Sequence, residues 1–328
     1  MNQGYRCDWW PFFLWCGHFG HDRVPGAYLR TIATMSDPSS IGELLATACS
    51  PTSSFEYFPP KDDESHALLL RTIDELEEVG PDWVSVTYGA NGSNRARTLA
   101  ITTELGRRHR FRVMGHLTCT GQTVDELKAA IDAYGNAGIT NILAIRGDMP
   151  GGASVAWEQY PGGLANATEL VELIASRGPY SIGVGAFPDG HTGSSVEMDA
   201  RILLGKQQAG ASFAISQLFF DVEHYFAMIG RARSIGCTLP IVPGIMPVSS
   251  LKQLGRFAQM SGADIPAAMA ERLMTVSDDA EQVRQVGFQI ATELCTRLLT
   301  GGAPGLHFYT QNRSRATREI VARLKGFI

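Results

Sequence analysis

The chain has 328 residues, of which 44% are hydrophobic and 19% charged, with a formal net charge of −5. That is enough apolar material for a large core. It lacks the basic footprint of a nucleic-acid binder and has no run of about 18 apolar residues to span a membrane.

The first segment, residues 1–34, stands apart from the rest of the chain. It carries a short aromatic run, WWPFFLWC (9–16), interrupted by Pro11 and followed by no small-residue cleavage signal of a secretory leader. Met35 opens MSDPSSIGELL, an ordinary amphipathic start. The expectation is an N-terminal extension over 1–34, either a disordered tail or a misplaced start, and one folded domain over 35–328.

From residue 53 onward, strand-like and helix-like stretches alternate. Short β-branched or aromatic runs fall at 53–58, 83–88, 112–118, 141–147, 181–187, 213–220, 240–245 and 305–310. Between them lie stretches with apolar residues at three- and four-residue intervals, such as ESHALLLRTIDELEEV, VDELKAAIDAYGNA and LKQLGRFAQM, and a longer one spans about 280–299. Eight strands alternating with helices predict a parallel sheet, and eight is the number that closes a (β/α)8 barrel. A doubly wound open sheet is the alternative, disfavoured because no G-x-G-x-x-G follows the first strand. The Gly/Pro-rich stretch 149–163 reads as a long loop after the fourth strand.

In a closed barrel the functional groups gather at the carboxyl ends of the strands. Polar residues sit at those positions here: Glu56 within the first strand, Thr87 at the end of the second, His116 at the end of the third, Arg146 and Asp148 closing the fourth, Phe187 and His191 following the fifth, Gln217 within the sixth, and His307, Tyr309, Asn312 and Arg313 on or beyond the eighth. A carboxylate inside an apolar strand is the most informative. Burial would raise the pKa of Glu56 and fit it to act as a general acid; it equally fits a buried pair with Arg146. Asp148 reads as a functional carboxylate or as a turn former or helix cap, and His116 as a core histidine. The six cysteines (7, 16, 49, 119, 237 and 295) form no CxxC pair and no zinc spacing with histidine. They read as reduced thiols of a cytoplasmic protein, with no metal site.

The segments SFEYFPPK, VSVTYGANGSNRART, HLTCTGQTVDEL, NILAIRGDMP, ISQLFFD, PIVPGIMPV and PGLHFYTQNR are collinear. Together they make the chain from about residue 53 onward resemble the bacterial, actinobacterial-type methylenetetrahydrofolate reductases. The resemblance implies a single TIM barrel that reduces 5,10-methylenetetrahydrofolate to 5-methyltetrahydrofolate for methionine synthesis, with FAD as carrier, NADH or NADPH as donor, and ping-pong kinetics. It implies that Glu56 is the general acid, that Asp148 favours a cationic folate, and that Gln217, Phe257 and Arg313 contact substrate. It implies FAD contacts from Thr87, His116, Arg146, Asp148, Phe187, His191, Asp199 and Lys206, and a homo-oligomer that binds neither nucleic acid nor membrane. Phe187 stands where the family often has tyrosine, PDGHTGSS replaces a loop that more often carries His-Pro-Glu, and Gln311 replaces a leucine. The alternatives are a flavin-independent enzyme reducing the same folate and a non-catalytic barrel that binds folate or flavin.

Overall fold

Runs such as TSSFEY, RVMGHLT and SIGVGA combine β-branched and small residues, which suits strands buried on both faces. In the computed structural model, which describes residues 40–88, 95–109, 111–150, 155–191 and 193–328, each of the eight expected runs contains a strand. The strands are β1 (Thr52–Tyr57), β2 (Trp83–Val86), β3 (Arg112–Thr118), β4 (Asn141–Ile145), β5 (Ser181–Ala186), β6 (Phe213–Ser216), β7 (Ile241–Val242), β8 (Gly244–Ile245) and β9 (Gly305–Tyr309). The ninth arises because Pro243, which has no N–H to give a ladder, divides the seventh run in two. All pairs are parallel, in the order β7-β6-β5-β4-β3-β2-β1-β9-β8. Because β7 pairs β6 while β8, one residue on, pairs β9, the sheet closes on itself. This is the expected (β/α)8 barrel. The described residues lie within the unit Pro38–Ile328; the expected extension over 1–34 and its boundary at residue 35 fall outside them.

The helices are α1 (Ile41–Thr47), α2 (Asp63–Glu77), α3 (Arg95–Arg108), α4 (Val124–Asn136), α5 (Ala167–Arg177), α6 (Val196–Gln208), α7 (Val222–Ser234), α8 (Leu251–Ser261), α9 (Ala267–Met274), α10 (Ala280–Thr300) and α11 (Ser314–Arg323). Several open on a residue whose side chain accepts a first-turn N–H: Asp62, Thr123, Asn166, Ser195, Asp221, Ser250 and Asp279. This fixes where each strand-to-helix loop ends. Among the described residues no helix is long and apolar enough to cross a membrane.

Alternation along each strand sends Phe55, Tyr57, Val84 and Val86 to the layer under the helices. It sends Trp83, Met114, Leu143, Phe213 and Ile215 into the barrel, where they meet Ile41. Helix α1 therefore plugs the barrel at the amino ends of the strands. Its first amides are satisfied there: Ile41 N–H donates to Asn141 Oδ1 (2.9 Å) and Gly42 N–H to Ser181 Oγ (3.0 Å), at the first residues of β4 and β5. With one end closed by a side chain that is 0% exposed, the carboxyl ends form the open mouth. Ile41→Ala, which removes three methyl or methylene groups from this plug, is expected to cost about 3 kcal/mol of stability. Chemical denaturation measures this, and a loss below about 1 kcal/mol would show that α1 is not part of the core.

Candidate active site

On β1 the inward residues are Ser54 and Glu56, and across the closure their β9 neighbours are His307 and Tyr309. Glu56 keeps 13% of its side chain exposed at the mouth, and its Oε2 lies 3.6 Å from both His116 Nε2 and His307 Nε2. Neither nitrogen has a hydrogen-bond partner among the described residues, although both are buried. Buried polar atoms are seldom left so. Burial holds His116 well below its usual value, at about 4, with Glu56 opposing that shift and His307 adding to it, so the ring is neutral near pH 7. The expected salt-bridge alternative for Glu56 does not form. The Arg146 guanidinium lies 4.9 Å from the centroid of the Trp157 ring instead, in cation–π range.

Between the ends of β4 and β5 and the face of α6 lies a cavity of about 580 Å3. It is lined by five of the residues expected to hold a cofactor: Arg146, Phe187, His191, Asp199 and Lys206. The loop after β5 is held by Asp199, whose Oδ2 accepts the His191 N–H at 2.7 Å, and the Phe187 and His191 rings meet edge to face at 4.8 Å. Lys206 is 7% exposed, and among the described residues its Nζ makes one hydrogen bond, to Gly185 O at 3.1 Å. Burial lowers it from the usual 10.5 to about 8, with Asp199 working the other way and Arg146 lowering it further. A buried ammonium with unused donors, beside Arg146 and Arg231 on the same wall, suits an anionic ligand.

The remaining expected residues are distributed round the mouth. Thr87 follows β2, its carbonyl accepting the Thr98 hydroxyl. Asp148 is exposed on the loop after β4. It does not cap a helix, since the cap of α5 is Asn166. Gly147 before it has φ +83°, and a Cβ there would meet Thr120 Oγ1 at 2.6 Å, so the tight turn beside Asp148 requires glycine. Gln217 follows β6, and its side-chain oxygen accepts the Leu218 N–H. Phe257 is half-buried on α8 and Arg313 is exposed at the start of α11, so these two are not gathered with the cavity residues. Residues 311 and 312 turn with φ of 54° and 55°. Asn312 is held there by bonds from Phe58 N–H to its Oδ1 and from its Nδ2 to Phe58 O.

Sequence reasoning missed the role of His307, Arg231 and the first turn of α5 at the cavity, and His224, which pairs with Asp189 in the altered loop after Phe187. A period-two reading of GLHFY places His307 on one face with Tyr309, a signal that was available. Nothing in the sequence places it against Glu56.

The profile of the family described as methylenetetrahydrofolate reductase matches residues 41–325. The chain is 40% identical over 272 residues to 5,10-methylenetetrahydrofolate reductase of Escherichia coli (strain K12), covering 83% of this chain and 90% of that one. The chain belongs to the methylenetetrahydrofolate reductase family. As a methylenetetrahydrofolate reductase it is an oxidoreductase acting on a small folate substrate. Methylenetetrahydrofolate reductase (NADH) 1 of Arabidopsis thaliana is 35% identical over 283 residues, 83% of this chain and 48% of that longer protein. An uncharacterized protein from Clostridium thermocellum, which binds two copies of 5-methyl-5,6,7,8-tetrahydrofolic acid, shares the fold at a TM-score of 0.59 and 14% identity, over 85% of this chain and 96% of that one.

Removing the buried charge from this methylenetetrahydrofolate reductase tests the cavity directly. The native state holds the Lys206 proton less tightly than the unfolded chain, so below about pH 8 the fold carries the full cost of the buried charge, roughly 3 kcal/mol for a drop from 10.5 to about 8. That cost fades as pH rises toward 10.5. Lys206→Met is therefore expected to be more stable than the parent at pH 7, with the difference shrinking between pH 8 and 10.5. Denaturation curves across that range check it, and a variant less stable at pH 7 would contradict it.

Proposed function

We propose that the chain reduces 5,10-methylenetetrahydrofolate to 5-methyltetrahydrofolate with NADH or NADPH, through FAD bound in the cavity at the ends of β4 and β5, the two substrates reacting in turn. The observation that carries this reading is the presence of two features at the carboxyl ends of one barrel's strands: an inward carboxyl faced by two imidazole nitrogens without hydrogen-bond partners among the described residues, and a cavity whose wall holds the buried Lys206. The family and its folate substrate limit the chemistry, and the cavity is what favours a flavin-dependent enzyme over one that takes hydride directly from nicotinamide.

When bound, FAD supplies a two-electron carrier that takes a hydride from the nicotinamide and gives it to the folate carbon. Arg146 and Lys206 would hold its pyrophosphate. Thr87, His116, Phe187, His191 and Asp199 would complete its site, with Phe187 giving a ring but no hydroxyl. Glu56 donates its proton to the folate nitrogen that leaves as the imidazolidine ring opens, and the exposed carboxylate of Asp148 favours the cationic folate so formed. Gln217 offers its amide to the pterin or the nicotinamide, Phe257 its ring, and Arg313 a cation to a substrate carboxylate.

We place the enzyme in the cytoplasm as a homo-oligomer supplying methyl groups for methionine synthesis. The compartment is supported by the described cysteines, 49, 119, 237 and 295, which are all free thiols. The purified protein is expected to show a flavin absorption spectrum that bleaches when NADH or NADPH is added without oxygen and returns on adding 5,10-methylenetetrahydrofolate. A colourless protein that turns over without added FAD would contradict the flavin reading.

A further inference from the structure

The two imidazoles facing Glu56 are not equivalent. His307 has its second ring nitrogen engaged: Nδ1 lies 2.9 Å from Ser54 Oγ. That hydroxyl is also 3.1 Å from the Leu306 carbonyl oxygen, which can only accept. The single hydroxyl proton of Ser54 is thereby committed to Leu306, and its oxygen accepts from His307. Nδ1 must carry a proton for that bond to exist. In a neutral ring this leaves a lone pair on Nε2, the atom turned toward Glu56.

The ring cannot readily turn to offer its other edge. His307 is 0% exposed, Trp83 stacks on it at 4.8 Å with an interplanar angle of 11°, and Tyr309 meets it edge-on at 5.5 Å. Tyr309 is itself tied across the closure by its hydroxyl, which donates to Ser216 O at 2.6 Å. Of the titratable groups on the neighbouring strands, Glu56 and His116 face the same point, and the neutral His116 ring puts no positive charge there.

We propose that His307 is a positioning residue for the acid: Ser54 fixes it as the Nδ1–H tautomer, and its Nε2 lone pair receives the hydrogen bond of a protonated Glu56 carboxyl. An ionised carboxylate facing that lone pair would be repelled, whereas a carboxylic O–H between them is attracted. At 3.6 Å the contact is longer than a hydrogen bond, and sites without substrate often relax in this way. The proton stays between Oε2 and Nε2 until the substrate nitrogen takes it. Glu56 is then left as a carboxylate, and one proton from solvent at the open mouth restores it. The inference rests on reading Glu56 as the proton donor.

The test is nitrogen NMR of the full chain carrying labelled histidine, with His307 assigned by its loss in His307→Gln. The expected spectrum has a protonated, pyrrole-type Nδ1 and a pyridine-type Nε2, and Ser54→Ala is expected to release that preference. A protonated Nε2, with or without a proton on Nδ1, would overturn the proposal. Kinetics give a second readout. His307→Gln can set an amide oxygen where Nε2 stood, whereas His307→Asn reaches only the Nδ1 position. The expected losses in kcat are about 10-fold for Gln and about 100-fold for Asn, with KM for the folate within about twofold. Equal losses, or a change confined to KM, would assign His307 to packing and overturn the proposal. Glu56→Gln separates the two readings. If it is inactive while His307 carries its proton on Nε2, the inference fails and Glu56 stands as the acid. If it turns over normally, the reading of Glu56 fails, and the pair has no part in turnover whatever its tautomer.

Discussion

A carboxyl group on the inner wall of a barrel meets a conflict between burial and charge. The lower interior is apolar, filled by Trp83, Met114, Leu143, Phe213, Ile215 and the plugging Ile41. Two residues above Ser54 on the same face, Glu56 stands where the apolar filling ends and the mouth opens, with imidazole nitrogens on two sides. Desolvation makes any unpaired charge there costly, so protonation states must be settled by the neighbours. The site's chemistry follows from that requirement.

The fold serves it in two ways. The α1 plug closes the amino end, which leaves one face for ligands. The seventh strand is interrupted at Pro243, yet its halves reach opposite neighbours and so complete the cylinder. Tyr309 bridges the weak point by bonding to Ser216 across Gly244, where a Cβ would sit 2.5 Å from the tyrosine oxygen. Closure brings β9 beside β1, and so His307 beside Glu56. A cavity lined by the buried Lys206 lies further round the barrel, at the carboxyl ends of β4 and β5, so anion binding and proton handling both sit at the carboxyl ends of the strands.

Much of this was legible beforehand. The eight strands announce themselves as short β-branched and aromatic runs, and their alternation with helical periods indicates a parallel barrel. The break at Pro243 was not foreseen, because a proline inside a short apolar run looks like any strand end. Helix α9 is short, follows Pro266, and has no side-chain cap bond, so it offered little periodic signal. At the site, single residues at strand ends could be picked out by position. The partners of Glu56 could not, because His307 lies 251 positions away and meets it only through register and closure. The odds between a pair with Arg146 and a functional acid could be settled only by where the strands turn those side chains. The altered loop after Phe187 was visible as a departure, but the Asp189–His224 pair that holds it was not.

The most direct test of the account separates its two half-reactions in Glu56→Gln by rapid mixing. Reduction of the bound flavin by NADH or NADPH needs no proton from this residue and is expected to proceed at a rate close to that of the parent. Reoxidation by 5,10-methylenetetrahydrofolate is expected to slow at least 100-fold. Parent-like rates in both halves, from a variant that folds and holds its flavin, would contradict the claim that Glu56 delivers the proton.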